Sequence, residues 1–314
     1  MMNRILDFYF KLPDDDSLGI LTKAFNRLNA RILKRVLDKT VPSYFLKTMD
    51  QFPSGINHIP REKKVIVSLT SFPARIKDLW IVIECLLRQS YQADKIILWL
   101  ARPQFEGIDL PESLVNQQKR GLEIRFVDED LRSHKKYLFA FDLFPNDYIV
   151  TVDDDLYYDE KLLENLIHLK SNFPDAVVTN RAHELTFDSI GNILPYKFWK
   201  HNSVSLQPSF FMVQTGGFGT LYSKEDLDQS YNNIQIIKNN IPFADDLWMK
   251  VQTLLAGKKV VTNDRYNKDP LTVRNSQLEK LVSKNVFDGG NDQQLRSVLN
   301  HFQLGNLEQF REQN

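Results

Sequence analysis

Tyr148-Ile149-Val150-Thr151-Val152 runs without a break into Asp153-Asp154-Asp155. Five residues rich in β-branched and apolar side chains have the length and composition of a buried strand. Three adjacent carboxylates at its end repel one another, and a fold tolerates that where a cation or a ligand compensates. On extended backbone Asp153 and Asp155 point to one side and Asp154 to the other. The pair is read as a grip on one hard divalent ion, Mn²⁺ or Mg²⁺, whose oxygen shell a ligand's phosphates would complete. The rival reading, an acidic turn capping the next helix, does not explain why a buried strand leads into the triplet.

Working outward, the residues alternate between strand-like and helix-like runs. Strand patterns at 65–69, 95–100 and 122–127 are separated by helical spacing at 79–88 and around 112–119,. A helix at 135–144 leads into the 148–152 strand, a helix at 159–169 follows the triplet, and a further strand lies at 176–179. The stretch 181–211 is aromatic and polar without a clear period, and reads as a substrate-facing insertion. A glycine-bearing segment, Gly216 to Tyr222, comes next; a helix then starts near Asp245 or Asp246 and stops at Gly257, ahead of a late strand at 259–262,. The fold class expected is α/β: a Rossmann-like, mixed but mostly parallel sheet flanked by helices, with ligands beyond the carboxyl ends of the strands.

The chain has 314 residues with 40 basic and 40 acidic side chains, so no global field recruits nucleic acid,. An apolar fraction of 42% and a charged fraction of 25% are those of a globular protein,. The single cysteine, Cys85, sits in an apolar run and excludes an internal disulfide,. No apolar stretch is long enough to span a bilayer and no signal peptide is evident, so a cytoplasmic protein is expected, soluble or peripheral to the inner face of the membrane. Residues 1–60 read as a helical extension and linker, 61–264 as the catalytic domain with halves at 61–180 and 181–264, and 265–314 as a helical tail. Within the extension, Leu21, Phe25, Leu28, Ile32, Val36 and Leu37 recur at helical steps, with Lys23, Arg27, Arg31, Lys34 and Arg35 opposite,. That amphipathic helix, spanning 18–37, is expected either to bury its stripe on the main domain or in a homodimer, or to touch an anionic membrane.

The chain resembles the GT-A glycosyltransferases, whose Asp-any-Asp motif lies at this strand end and binds the donor diphosphate through a divalent metal. More narrowly it resembles bacterial transferases of capsular and cell-surface polysaccharide assembly, at Ser68-Leu69-Thr70-Ser71-Phe72-Pro73-Ala74-Arg75-Ile76 and again at the glycine and Asp-Asp segments, over roughly residues 64–264. The resemblance implies that the first strand and its loop hold the nucleoside, through Thr70, Ser71, Phe72 and Arg75. Residue chemistry agrees, since this strand-end loop offers hydroxyls, a ring and a cation. Asp154 is assigned to the donor's ribose or sugar, Asp128, beside Asp130, to its base or ribose, and Lys135 or Lys136 to its diphosphate. Gly216 and Gly217, with Gly219, let backbone approach a ligand, and the resemblance places them beside sugar and acceptor. Arg181, His183 and Glu184 lie at another strand end, where Arg181 and His183 would meet the acceptor; Trp248 would stack on a sugar.

Transfer with inversion needs one carboxylate to deprotonate the attacking hydroxyl. Asp246 is the first choice and Asp245 the second, the other being free to cap the helix. The activity expected is a metal-dependent transfer of a hexose from a nucleotide sugar, a UDP-hexose, to a hydroxyl of a glycan or lipid-linked acceptor. Family members often recruit a late histidine to the metal, but none follows Asp246 until His301. The rival activities are nucleotidyl transfer, which would want a glycine-rich loop after the first strand where Ser71-Phe72-Pro73-Ala74 stands, and glycan binding without catalysis.

Overall fold

Order along the chain follows the alternation of apolar runs. In the computed structural model, residues 1–12, 19–266, 268–274, 290–305 and 307–310 are described. Strands β1 (Val65–Thr70), β2 (Lys95–Ala101), β3 (Leu122–Val127) and β4 (Tyr148–Val152) alternate with helices α3 (Leu79–Leu87), α4 (Glu112–Val115) and α5 (Lys135–Leu143), while α1 (Met2–Lys11) and α2 (Gly19–Thr48) precede them. Behind β4 come α6 (Leu162–Asn172), β5 (Val177–Thr179), β6 (Ala182–Glu184), β7 (Lys200–Ser203), β8 (Met212–Gln214) and β9 (Phe218–Tyr222). The chain continues through α7 (Ile234–Asn240), α8 (Asp245–Leu255), β10 (Val260–Val261) and α9 (Gly290–His301).

The main sheet has seven strands in the order β10-β5-β9-β4-β1-β2-β3. Strands β4, β1, β2 and β3 are parallel, as are β10 and β5. The α/β expectation of a mixed, mostly parallel sheet therefore holds. Its one reversal is β9, antiparallel to both β4 and β5. Those residues read as a glycine segment in the sequence, yet Phe218 to Tyr222 are wholly buried strand. The irregular 181–211 region carries a second sheet, β7-β6-β8, all antiparallel. Its strands are three or four residues long, too short for an alternation to stand out from noise. The helix after the triplet begins at Leu162, because Asp159 is spent on the turn before it, accepting the Lys161 N–H and the Tyr266 hydroxyl at 2.7 Å each.

The N-terminal residues belong to the main core. Met2, Leu6, Tyr9, Phe10, Leu37, Val41 and Phe45 are buried in one cluster with β1 and α3, and the Phe10 ring packs against Phe218 and Tyr266. The 49–60 stretch, expected as a linker from its Pro and Gly content, is pinned down. Gly55 N–H donates to the Arg120 carbonyl at 2.9 Å and Asn57 N–H to the Ala93 carbonyl at 2.7 Å, while a Cβ at Gly55 would lie 2.4 Å from Leu87 Cδ2. The docking face of α2 also differs from the stripe expected: Leu37 is buried, but Phe25, Leu28, Ile32 and Val36 are exposed. The side chains of Leu21 and Lys23, and residues 275–289 and 311–314 of the expected tail, lie outside the described residues. Among the described residues no helix is long and apolar enough to cross a membrane.

Candidate active site

Strand β1 ends at Thr70, whose hydroxyl donates to the Trp99 carbonyl at 2.8 Å and tethers the loop to β2. One residue on, Ser71 Oγ donates to Asp154 Oδ2 at 2.5 Å. Arg75 then reaches the triplet from the same loop, with Nη1 at 2.6 Å from Asp154 Oδ1 and 3.2 Å from Asp155 Oδ2. Its guanidinium lies 5.3 Å from the Phe72 ring centre. The loop assigned to the nucleoside thus holds the acidic triplet itself. Asp154, expected to reach a ligand, is instead a buried anchor between a hydroxyl and a guanidinium.

Asp153 is the open member of the triplet, its side chain 44% exposed. Its backbone is clamped: the N–H donates to the Gly217 carbonyl at 3.1 Å and to the Tyr158 hydroxyl at 2.9 Å, while Tyr158 donates to the Gly217 carbonyl. Asp153 fills the space a side chain would take here, since a Cβ at Gly217 would stand 2.1 Å from Asp153 Oδ2 and push that carboxylate aside. Gly216 is equally confined, its would-be Cβ 2.9 Å from Thr151 Oγ1 and 3.0 Å from Asp246 Oδ1. Gly219 takes φ +93°, which L side chains rarely adopt,. Gly216 and Gly217 thus make close approaches to the protein's own Asp246 and Asp153 carboxylates.

Lys136 joins the two acidic groups. Its Nζ lies 2.9 Å from Asp153 Oδ1 and 2.8 Å from Asp245 Oδ2, although the two aspartates are far apart in sequence. Burial works to lower its pKa, but Asp153, Asp245 and Asp246 outweigh that and hold it well above its ordinary value. Burial likewise pushes Asp245 up, and Lys136 with His134 overcomes it, so Asp245 stays below the ordinary carboxylate value. Lys136 favours the charge on Asp246 too, but there burial and Asp245 outweigh it. Asp246 Oδ1 accepts the Gly216 N–H at 2.8 Å, and burial together with the charge of Asp245 pushes the carboxyl up to about 7. Burial, aided by Asp153 and Asp154 and opposed by Arg75, puts Asp155 at about 7 as well. Neither aspartate of the pair caps α8; the residue before the helix is Ala244, which makes no side-chain cap.

Several expected residues lie elsewhere. Lys135 is bonded to Asp130, not to the triplet. Asp128 is 93% exposed and pairs with Arg102. Trp248 is wholly buried, its Nε1–H donating to the Tyr231 carbonyl at 2.9 Å, so the ring has no face to offer a sugar. His183 is buried among Tyr196 and His201, with Nδ1 accepting the Asn202 N–H at 3.1 Å. Burial holds it well below its ordinary pKa, as a neutral structural imidazole. Arg181 bonds Asn202 and Asp269 at 2.6 Å each, and its carbonyl accepts from Thr215. Tyr158 and Asp269 were not picked out from the sequence. Nothing in their spacing marks them, since a lone Tyr or Asp carries no period.

The cluster gathers Asp153, Asp154, Asp155, Asp245 and Asp246 around Arg75 and Lys136. Five carboxylates against two cations leave negative charge that a bound cation would offset. Among the described residues no group of three or more His, Cys, Asp or Glu is placed so that it could hold a metal ion. No protein-family model matches the chain, and no curated protein matches it. Among solved structures, it is similar to a mannosyltransferase, PcManGT from Pyrobaculum calidifontis in complex with GDP-Man and Mn2+, at 13% identity over 86% of this chain and 75% of that one, TM-score 0.49. It is also similar to CMP:2-keto-3-deoxy-manno-octonic acid synthetase complexed with CTP, at 11% identity over 64% and 89%, TM-score 0.39. A third is the 4-diphosphocytidyl-2C-methyl-D-erythritol synthase from Anaerococcus prevotii DSM 20548, at 15% identity over 68% and 94%, TM-score 0.42. Likenesses this distant carry nothing about chemistry; the residues themselves do.

Proposed function

We propose that the chain transfers a hexose from a nucleoside diphosphate, UDP in our reading, to a hydroxyl of a glycan or lipid-linked acceptor, with inversion at the anomeric carbon. The observation that supports it is a cluster in which five carboxylates share two cations beyond the carboxyl ends of β1 and β4, with a partly buried aspartate of raised pKa on its far side. Asp153 and Asp155 would hold Mn²⁺ or Mg²⁺, which when bound supplies positive charge to a departing diphosphate. The donors of this pair are the carboxylate oxygens such an ion prefers, Asp153 is the exposed member, and Gly217 leaves the room its carboxylate occupies; Asp155 would exchange its contact with Arg75, and Asp153 its contact with Lys136, for the ion.

The remaining roles belong to the chain itself. Asp246 is fixed through Oδ1 by the Gly216 N–H, leaving Oδ2 to accept the proton of the attacking hydroxyl. A carboxylate near 7 is a stronger base than one at the usual value,. Lys136 keeps Asp245 ionised and spans from the base side to Asp153, so its charge stands where a diphosphate would leave. Ser71 and Arg75 orient the triplet and present the Phe72 ring to a nucleoside.

The test is a screen of UDP-, GDP- and CMP-sugars with the full chain and Mn²⁺ or Mg²⁺, reading the released nucleotide. Release from one UDP-hexose is expected. Asp153→Asn and Asp155→Asn should each abolish the metal-stimulated part, with Tm held or raised in Asp155→Asn, whose burial and neighbouring carboxylates disfavour its charge,. Wild-type turnover in both variants would remove the metal assignment, and no release from any donor would remove the transferase reading.

A further inference from the structure

Helix α2 presents two different faces. Toward the core it buries Leu37, Val41 and Phe45, and it is braced against two segments that meet at the Leu156–Thr272 bridge: Lys34 Nζ donates to the Thr272 carbonyl at 2.7 Å, and the hydroxyl of Tyr157, in the loop after the triplet, donates to Asp38 at 2.9 Å. Its outward face carries large apolar side chains instead. Phe25, Leu28, Ile32 and Val36 are 58%, 54%, 47% and 39% exposed, at steps of three and four that line them into one row. A second exposed row, Arg27, Arg31, Arg35 and Lys39, runs at steps of four directly beside it. Each of Leu28, Ile32 and Val36 has a basic residue three positions on, close enough for the two rows to touch one surface together. Over these fifteen residues the only acidic side chain is Asp38, which is held inward by Lys34 and Tyr157.

A chain of zero net charge that concentrates four cations along one exposed apolar row has a local specialisation its composition does not require,. Apolar side chains seek burial, and basic side chains lose their hydration cheaply only opposite anions. One planar partner meets both needs, an acyl layer bearing anionic headgroups. We infer that the outward face of α2 docks on an anionic lipid surface, with Phe25, Leu28, Ile32 and Val36 entering the headgroup boundary and Arg27, Arg31, Arg35 and Lys39 on lipid phosphates. This inference does not depend on the transferase reading. It does place a lipid surface one helix away, about 10 Å, from the loop carrying Asp155 and Tyr157.

Flotation of the full chain with phosphatidylcholine vesicles, with and without phosphatidylglycerol, tests it. The chain should float only with the anionic vesicles and be released as salt rises. Arg31→Gln with Arg35→Gln should weaken partitioning roughly tenfold to thirtyfold, and Leu28→Asn with Ile32→Asn should abolish it. Both double variants change exposed positions, so circular dichroism and Tm should match wild type. Failure to float with anionic vesicles, or flotation indifferent to salt and to the arginine changes, would overturn the inference. So would a dimer, seen by sedimentation, that Leu28→Asn with Ile32→Asn dissolves while vesicles are ignored, since the occupant would then be a second copy.

Discussion

Two of the places where this molecule buries carboxylates are built on opposite principles. Glu84, in the middle of the fully buried α3, is shared between two arginines: Arg88 and Arg120 each approach at 2.6 Å, and Gln117 Nε2 adds a bond at 3.1 Å. Those arginines in turn bond the Phe45 and Phe52 carbonyls, so the charge group stitches the N-terminal residues to the sheet. At the carboxyl ends of β1 and β4 the proportion is reversed, with five carboxylates around Lys136 and Arg75. A cation-rich group of this kind can be satisfied by the folded chain alone. An anion-rich one stores a deficit, seen in Asp155 and Asp246 at about 7, which is the ground for proposing it as a site.

The contrast can be broken most decisively at Asp246. Asp246→Asn should slow sugar transfer by roughly 10² to 10⁴ while leaving UDP affinity nearly unchanged. Calorimetry beside a transfer assay reads both. Joint loss would make the residue structural, like Glu84, and full activity would pass the role of base to Asp245.

Glu84→Gln is the mirror experiment and should spare chemistry while costing stability, by about 3–5 kcal/mol, because two buried guanidiniums lose their shared counter-charge. Denaturant unfolding measures it. A stability equal to wild type would show that the group is not the stitch described. A smaller loss, about 1–3 kcal/mol, is expected of Gly217→Ala, whose Cβ forces Asp153 or the β9 turn aside,; turnover should fall with it, and a variant with unchanged Tm and turnover would show that the approach is not confining.

The smallest effect is in pH dependence. Asp246 has a folded pKa of about 7, above the ordinary value near 4 in an unfolded chain. Between those values the native state holds the extra proton, so ionising Asp246 costs stability as pH rises from about 4 to about 7. Asp246→Asn keeps the bond from Gly216 and removes that cost. Its Tm should therefore exceed that of wild type by about 2 °C or more at pH 8, with the gap closing toward pH 4. A gap that widens on acidification would contradict the assigned shift.

Much of this was legible in the chain. The strand Tyr148–Val152 running into three aspartates, the repeated strand and helix runs before it, and the acidic start of α8 all appear where the sequence puts them, because burial on a sheet or on one side of a helix leaves a local period. Asp245 and Asp246 stood out as an acidic pair at a helix start with Asp246 preferred as the base, but the physical division between their charges did not. That division belongs to Lys136, which reaches from α5 to the end of β4 and the start of α8 at once.

What the sequence determined by itself is therefore the order of elements and the place where acidic groups collect, both properties of neighbours along the chain. Tertiary structure alone decided the rest. It sent Lys136 to the cluster, turned the glycine segment into the antiparallel β9, and sank Trp248 into the core while leaving Ile32 in the open. Each of these outcomes depends on which residues from distant parts of the chain arrive at the same point, and neither spacing nor composition records that; a charge finds its partner, and an apolar side chain its cover, only after the sheet has brought them within a few ångströms.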